Sequence, residues 1–195
     1  MELPHNFCLE NKKVKLEIFT DRHLEVLLPI ALNEPDLLQY SPSPFGTEKA
    51  LKQYLQNAKV EMKNGTRIAF VIFDKSKNKF AGSTSYGNIS MDNARLEIGW
   101  TWIGKEFQGT GLNKNCKYLL LNYAFEILKC QRVEFKADSR NNQSRKALES
   151  IGATYEGTLR SHTLMSDSYR RDTVYYSILK KEWLAIKDDF LINLE

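Results

Sequence analysis

Residues 96–113 read LEIGWTWIGKEFQGTGLN, and this segment is the most informative part of the chain. It begins as an apolar strand, turns at Gly109 and Gly111, and opens a helix that we predict from Leu112 to about Lys129. The first N–H groups of a helix lack partners within it, and the helix dipole adds positive charge there. Because glycine has no Cβ, an anion can approach this backbone closely. The segment therefore predicts a diphosphate site at residues 108–113.

Two common nucleotide motifs do not fit this segment. Residues 99–106 read G-x-x-x-x-G-K-E, and Glu106 stands where a P-loop needs Ser or Thr to hold magnesium. A carboxylate there would repel phosphate, and residues 100–103 have the pattern of a strand. The dinucleotide fingerprint G-x-G-x-x-G also fails, because no third glycine follows Gly109 and Gly111. Neither a P-loop nor a dinucleotide fold is therefore predicted.

The rest of the chain alternates between strand and helix patterns. Thr20 or Asp21 can cap a first helix, and Thr47 can cap a second one that Asn64-Gly65 ends. A third helix follows the glycine turn, and a short fourth one ends at Gly152. Apolar alternation predicts strands at residues 14–19, 67–74, 80–89, 94–103, 132–138, 154–163 and 173–179.

Composition describes an ordinary globular chain of 195 residues. Its 28 basic and 24 acidic residues give a net charge of +4, too mild to predict nucleic-acid binding. The three cysteines form no C-x-x-C pair, no apolar run is long enough to span a membrane, and residues 1–10 do not resemble a signal peptide. We therefore expect a cytoplasmic protein without disulfides.

Four segments resemble those of the GNAT acetyltransferase superfamily, in the same order. The run Gln108–Asn113 resembles its Q/R-x-x-G-x-G/A signature, although Asn113 replaces Gly or Ala. Residues 138–153 are similar to its D-x-x-N-x-x-S…L-E-K-x-G-F segment. Residues 96–100 and 169–177 resemble the E-I-G-Y/W strand and the Y-R-D-x-x-x-Y-S ending of the RimJ/RimL-like branch.

The resemblance implies an α+β fold in layers, with a mixed, mostly antiparallel sheet of about seven strands flanked by about four helices. It implies a single GNAT-like domain over residues 1–195, which transfers an acetyl group from acetyl-CoA to a primary amine by direct attack on the thioester. Separately, no grouping of His, Cys, Asp and Glu in the sequence has metal-ligand spacing, so we expect no metal. The residues implied to bind the cosubstrate are Trp102, Ile103, Gln108, Gly109, Thr110, Gly111, Leu112, Asn113, Asn141 and Ser144.

Glu97 is the candidate general base. A base is needed because lysine-type amines titrate near ~10.4 and attack only when neutral. Strand alternation predicts Glu97, Gly99 and Thr101 on one face, where an apolar environment could raise the pKa of the carboxyl group. Alternatively, Glu97 pairs with a cation on a neighbouring strand. The opposite face would carry Leu96, Ile98, Trp100 and Trp102.

Ser144 and His162 complete the candidate catalytic residues. The resemblance implies Ser144 as the acid beside the departing thiolate, because Leu148 stands where many GNAT enzymes place a tyrosine. Ser144 could equally be a polar residue at a helix start. His162 could line the acceptor pocket and act as a base near neutral pH, or it could be structural. The loop from Tyr40 to Phe45 is a candidate wall of the acceptor site.

The sequence leaves the acceptor open between a protein N-terminus and a small-molecule amine, and it leaves open whether the chain forms a homodimer. A catalytically silent acyl-CoA-binding domain is an alternative function, because Asn113 and Leu148 depart from the family pattern. An RNA-binding module would rest on scattered arginines without an aromatic stacking motif. We expect neither a nucleic-acid nor a membrane partner.

Overall fold

The computed structural model describes residues 7–43 and 45–192. Within them, one sheet of eight strands runs in the order β1-β2-β3-β4-β5-β6-β8-β7. Residues 1–6, on which part of the signal-peptide prediction rests, lie outside the described residues, as does Pro44 of the predicted aromatic loop. The strands are β1 (Cys8–Glu10), β2 (Val14–Ile18), β3 (Arg67–Asp74), β4 (Lys79–Ser90), β5 (Arg95–Ile103), β6 (Arg132–Asp138), β7 (Thr154–Leu164) and β8 (Arg170–Leu179).

All neighbouring strands pair antiparallel except β5 and β6, which are parallel. This confirms the predicted mixed, mostly antiparallel sheet. The described residues add one short strand, β1, and one closing helix to the predicted elements. Five α-helices flank this sheet: α1 (Leu24–Asn33), α2 (Glu48–Lys63), α3 (Leu112–Asn122), α4 (Asn142–Glu149) and α5 (Lys180–Ile192).

Local chemistry explains where the helices begin. The Thr47 side chain accepts a hydrogen bond from the backbone N–H of Ala50, which caps α2 as predicted. The Asn141 side chain caps α4 in the same way, by accepting from Ser144 N–H. The predicted continuous helix to Lys129 is wrong in part. The α-helix ends at Asn122, and a π-helical turn over Tyr123–Ile127 follows, where Leu128 N–H donates to the Tyr123 carbonyl at 3.0 Å.

Two hydrophobic clusters cover the two faces of the sheet. Residues of α1 and α2 pack on one face, around Leu27, Leu51 and Val71. Residues of α3, α4 and α5 belong to the larger cluster, which includes Leu120, Leu148 and Trp183. Successive side chains of β3 point alternately into the two clusters, so the strand is buried on both faces. This explains its unbroken apolar sequence.

A β-bulge in β5 reverses the predicted alternation of its side chains. Ser85 pairs with Gly99 and Ser83 with Trp102, so two residues of β5 lie opposite Thr84 alone. Trp100 has a φ of 50°, in the left-handed region. The prediction that Trp100 and Trp102 share a face with Leu96 and Ile98 is therefore wrong. The tryptophans pack in the α1–α2 cluster, while Leu96 and Ile98 belong to the other one.

Strands β5 and β6 separate beyond their first three residues. Their ladder runs only from the pair Arg95 and Arg132 to the pair Glu97 and Glu134. After Glu97, β5 continues beside β4, and β6 continues beside β8. Among the described residues, the facing edges of β5 residues 98–103 and β6 residues 135–138 have no strand partner. We call this opening the cleft, and an extended chain could pair with its edges.

The contact of the Trp100 ring with Gly87 allows the packing at the bulge to be tested. A Cβ on Gly87 would lie 2.1 Å from Cζ3 of the Trp100 indole, which the Arg67 guanidinium covers at 4.7 Å from the ring centroid. We expect Gly87→Ala to lower the free energy of unfolding by about 1–3 kcal/mol, measured by chemical denaturation. In a Trp100→Gly background the clash is absent, so the same substitution should cost under about 1 kcal/mol. An equal cost in both backgrounds would contradict this packing.

Candidate functional site

The turn before α3 presents a series of backbone N–H groups without acceptors. Gly109 and Gly111 have φ values of 73° and 82°, and a Cβ on either would meet nothing within 4 Å. Within residues 7–43 and 45–192, no acceptor is found for the N–H groups of Gly109, Thr110, Gly111, Asn113 and Lys114. Residues 109–114 are called the amide nest below. Its open, positively polarised backbone is suited to a diphosphate.

Side chains in the amide nest leave the backbone accessible. Leu112 turns into the core, and its N–H makes only a long 3.4 Å contact to Thr110 Oγ1. Thr110 itself donates to the Phe107 carbonyl at 2.7 Å. Asn113 does not cap the helix, because Gly111 is the N-cap and Asn113 lies inside the first turn. Its Oδ1 is buried and has no donor in the part of the chain that the structure describes.

Gln108 braces the backbone between the end of β5 and the nest. Its Nε2 donates to the Ile103 carbonyl at 2.8 Å, and its Oε1 accepts from Gln143 of α4 at 3.0 Å. The side chain thus ties the strand end, the turn and α4 together. Trp102 and Ile103 are buried, and their backbone borders the cleft.

Glu97 lies at the closed end of the cleft, where β5 and β6 still pair. It is 5 % exposed, and its Oε2 lies 2.8 Å from Lys136 Nζ of β6 and 2.7 Å from Asn88 Nδ2 of β4. Burial alone would lower the pKa of Lys136, but the hydrogen bond and charge of Glu97 raise it above its ordinary value. The alternative interpretation of an ion pair with a neighbouring strand therefore describes the observed contact.

An open groove of about 740 Å³ lies beside Glu97. Asn88 and Lys136, the two partners of Glu97, belong to its wall, together with Arg95, Glu134 and Tyr175. From Glu97 to Ile103 the strand runs six residues, or about 20 Å at the usual rise. The groove and the amide nest therefore lie at opposite ends of β5, with the cleft between them.

Ser144 and Asn141 lie at the start of α4, close in sequence to the end of β6. Ser144 N–H donates to Asn141 Oδ1 at 3.0 Å, so the side-chain oxygen of Asn141 caps the helix. The Ser144 hydroxyl is half-buried and has no partner among residues 7–43 and 45–192. Gln143, its neighbour, reaches Gln108. These contacts bring α4 beside the amide nest and leave one hydroxyl free for a ligand.

His162 is exposed on β7 and connects to Glu97 through two side chains. Its ring lies 6.0 Å from the Tyr175 ring, and Lys136 Nζ lies 5.1 Å from that same ring. Lys136 in turn contacts Glu97. His162 Nδ1 is within hydrogen-bond distance of Thr173 Oγ1, at 3.1 Å. The structure therefore places His162 behind Tyr175 of the groove wall, and not in contact with Glu97.

The loop before α2 is anchored next to this groove. Arg171 of β8 donates to the Tyr40 carbonyl at 3.0 Å and to Thr173 Oγ1 at 3.0 Å. The Arg140 guanidinium lies 3.8 Å from the Tyr169 ring centroid and 5.7 Å from that of Tyr40. These contacts hold the aromatic loop against β8 and the β7–β8 hairpin, so the loop can form part of the groove's surroundings.

Lys117 is a polar core residue that the sequence reasoning missed. It lies on α3, is 6 % exposed, and donates to Thr101 Oγ1 at 2.8 Å. A signal existed, because Lys117 stands one turn before Leu121, on the widened apolar stripe of this helix. Burial lowers the pKa of Lys117 from 10.5 to about 8.

Comparison with known proteins decides the family. A family model described as an acetyltransferase (GNAT) domain matches residues 13–154, which is more than half of the chain. The chain belongs to the GNAT acetyltransferase family. Its relatives include a protein of Bacillus subtilis (strain 168) named as a ribosomal N-acetyltransferase, YdaF. That protein is 39% identical over 115 residues, which are 59% of this chain and 60% of YdaF.

Solved structures share the fold of this acetyltransferase. One, described as an acetyltransferase from T. thermophilus, has a TM-score of 0.89 and 34% identity, with both chains fully covered. A GCN5-related N-acetyltransferase from Brucella melitensis has a TM-score of 0.89 and 25% identity, covering 98% of this chain and 87% of its own. The name of the B. subtilis relative supports the predicted RimJ/RimL-like branch.

GNAT enzymes generally use acetyl-CoA. The open amide nest fits its diphosphate, because a Cβ added to Gly109 or Gly111 would meet no described atom within 4 Å and the backbone donors there are accessible. In the described ranges, no cluster of three His, Cys, Asp or Glu side chains could hold a metal ion. No helix there is both long and apolar enough to cross a membrane.

The amide nest predicts the effect of a charge at Gly111. We expect Gly111→Glu to weaken acetyl-CoA binding at least about 100-fold in calorimetric titration, because a carboxylate would meet the diphosphate. Gly111→Asn is the matched control, since asparagine tolerates the positive φ and carries no charge. Both variants should fold, as judged by circular dichroism. Undiminished affinity of Gly111→Glu would contradict the nest.

The buried Lys117 predicts a pH dependence of stability. Its folded pKa of about 8 lies below its ordinary value of 10.5, so the unfolded chain binds more protons between these values. The free energy of unfolding should therefore rise by about 3 kcal/mol from this group as pH increases from 8 to 10.5. Denaturation of Lys117→Met across this range, set against the wild type, measures the contribution. A difference that is independent of pH would contradict the burial of a charged lysine.

Proposed function

We propose that this protein transfers the acetyl group of acetyl-CoA to a primary amine, on a protein N-terminus or a small molecule, by direct attack of the amine on the thioester. The observation that carries the proposal is the amide nest opening onto the cleft between β5 and β6. The thioester of the bound cosubstrate supplies an activated acyl group. The protein's own groups hold the diphosphate, orient the arm and remove the proton of the amine.

The cleft supports an extended arm along β5. Its edge over residues 98–103 lacks a strand partner among the described residues, so backbone groups there can pair with amides of the arm. Trp102 and Ile103 would lie along it, and Asn141 and Ser144 would face it from α4. We propose this placement because Gln108 and Gln143 hold α4 next to the strand end.

Glu97 is the proposed base, and the groove beside it is the proposed acceptor site. Its Oε2 accepts from Lys136 and Asn88 at the edge of the groove, and we propose that this carboxylate takes the amine proton directly or through a water. The new C–N bond forms as the C–S bond breaks. Ser144, whose hydroxyl has no described partner, can donate a hydrogen bond to the departing thiolate, which takes its proton from solvent. His162, next to the groove wall, would contact the acceptor.

The groove suits a protein N-terminus better than a compact small molecule. It is open, about 740 Å³ in volume, and contains both acidic and basic side chains. Its flank, where Arg171 anchors the Tyr40 loop, adds further room for a chain. The B. subtilis relative is named for ribosomal N-acetylation, which agrees with a protein acceptor. We place this activity in the cytoplasm.

The function is tested by adding purified protein to acetyl-CoA and a panel of amines. The panel holds peptides with free N-termini, the same peptides with blocked N-termini and internal lysines, and small polyamines. Release of free thiol with only the first group, and mass-spectrometric proof of N-terminal acetylation, is the expected result. Saturable acetyl-CoA binding without thiol release for any amine would favour the silent binding domain.

The role of Glu97 predicts a loss of turnover without a matching loss of binding. Glu97→Gln should lower kcat by about 100-fold or more, because general-base catalysis is removed. The dissociation constant of acetyl-CoA should stay within about threefold, since the nest follows the far end of β5 and about 20 Å of strand separates that end from Glu97. Glu126→Gln, which changes an ion-paired carboxylate in the π-helical turn after α3 and outside the groove wall, is the control and should keep most activity. Equal turnover in Glu97→Gln and the wild type would remove Glu97 from the mechanism.

A further inference from the structure

Lys117 is a buried cation that the protein satisfies only in part. An ammonium group has three protons, and within the described ranges Nζ has one hydrogen-bond acceptor, Thr101 Oγ1 at 2.8 Å, and no carboxylate partner. Burying an ammonium without a counter-charge is costly, so apolar residues at such positions are usually more stable. A lysine that remains here points to a group from outside the protein that favours its charge.

Lys117 contacts the bulge of β5 from the face of the sheet on which α3 packs. Thr101, which accepts its hydrogen bond, is one of the two bulge residues opposite Thr84, and the two threonine hydroxyls lie 2.8 Å apart. Thr101 Oγ1 also lies 3.4 Å from the Gly99 carbonyl. The lysine therefore connects α3 to the part of β5 where its edge becomes free toward the cleft.

A second buried polar atom lies one helical turn before Lys117. Asn113 is its i−4 neighbour, so both side chains project from the same face of α3. The Asn113 Oδ1 is buried without a donor in the described part of the chain, and the N–H of the same residue belongs to the amide nest. Among the described residues, the Asn113 oxygen thus lacks a donor and the Lys117 ammonium has a single acceptor. Of the two, only the ammonium is favoured by an anion, because the Asn113 oxygen is itself an acceptor.

The surroundings of Lys117 leave its charge free to respond to a ligand. Burial lowers its pKa to about 8, and the only titratable group found to influence it among the described residues is Cys116. Burial raises the pKa of Cys116 to about 12, so this thiol stays neutral. The partners that β4 and β5 present are threonine hydroxyls, which do not titrate. A negative charge bound at the start of α3 would therefore stabilise the protonated form of Lys117, and no other group found to influence this lysine among the described residues would change its charge in response.

We propose that Lys117 is a positioning residue of the cleft, whose protonated form holds the β5 bulge through Thr101 and is stabilised by binding of the anionic cosubstrate at the amide nest. The inference rests on the proposed function for the identity of that cosubstrate. It adds that binding is coupled to proton uptake at a residue which does not touch the diphosphate. Free CoA and acetyl-CoA both carry the diphosphate, so both should show the coupling.

The coupling is measured by calorimetric titration of acetyl-CoA at pH 8.5 in two buffers of different ionisation enthalpy. At this pH the phosphate groups of the ligand are fully ionised, so they contribute little to proton uptake. The wild type should take up roughly 0.2–0.6 protons per molecule bound, because Lys117 is mostly neutral before binding and becomes charged. Lys117→Met, which keeps the length of the side chain without the charge, should take up almost none.

Two further measurements separate charge from shape. The ratio of dissociation constants between Lys117→Met and the wild type should fall from about tenfold at pH 7 to near one at pH 9.5, because the wild-type lysine then loses its charge. Thr101→Val keeps the lysine and should keep proton uptake, while lowering kcat because the bulge loses its hydroxyl contact. Lys117→Arg should restore affinity at pH 9.5.

Equal proton uptake in the wild type and Lys117→Met, with a ratio of dissociation constants independent of pH, would overturn the inference. These are binding measurements, so they decide the role of Lys117 even if the wild type acetylates no amine. Absence of thiol release with every amine would instead defeat the proposed function. Should Lys117→Met fail to fold, Lys117→Gln provides the same neutral comparison.

Discussion

The N–H groups at the start of α3 need acceptors that the described protein does not provide. A helix of any sequence leaves such donors unpaired, and most proteins cap them with a side chain. Here the N-cap is Gly111, which has no side chain to offer, and Gly109 two residues earlier leaves the same space open. The missing acceptors must come from water or from an anion. GNAT enzymes generally use acetyl-CoA, and we propose that its diphosphate is this anion.

The bulge in β5 lies along the cleft that begins at this anion site. By placing two residues opposite Thr84, it turns the tryptophans toward α1 and α2, while β5 and β6 separate beyond Glu97. Contacts from both faces hold it: Lys117 reaches Thr101 from α3, and the Arg67 guanidinium stacks on Trp100 from the other side. The ladder between β5 and β6 ends at Glu97, and the bulge at residues 100 and 101 lies in the free segment that follows.

The sequence predicted most elements of the fold because its signals there are local. Thr47 caps α2 where the capping pattern indicated, and the period-2 strands lie close to their predicted bounds. The bulge escaped prediction, because Trp100 and Trp102 look like any alternating pair until the register with β4 is known. The ion pair of Glu97 with Lys136 could not be predicted without knowing that β5 and β6 pair in parallel, because these strands are distant in sequence. Lys117 was missed because a lysine beside an apolar stripe usually extends to solvent, and only the packed structure shows it buried.

The most direct measurement of the amide nest is a nuclear magnetic resonance titration of backbone N–H groups with acetyl-CoA. The resonances of Gly109, Thr110, Gly111 and Asn113 should move to lower field as their protons bond to phosphate oxygens, and their exchange with solvent should slow. Residues of α2, which pack on the opposite face of the sheet from α3, serve as the internal reference. Shifts confined to other parts of the chain, with the four N–H groups unchanged at saturation, would contradict the diphosphate site.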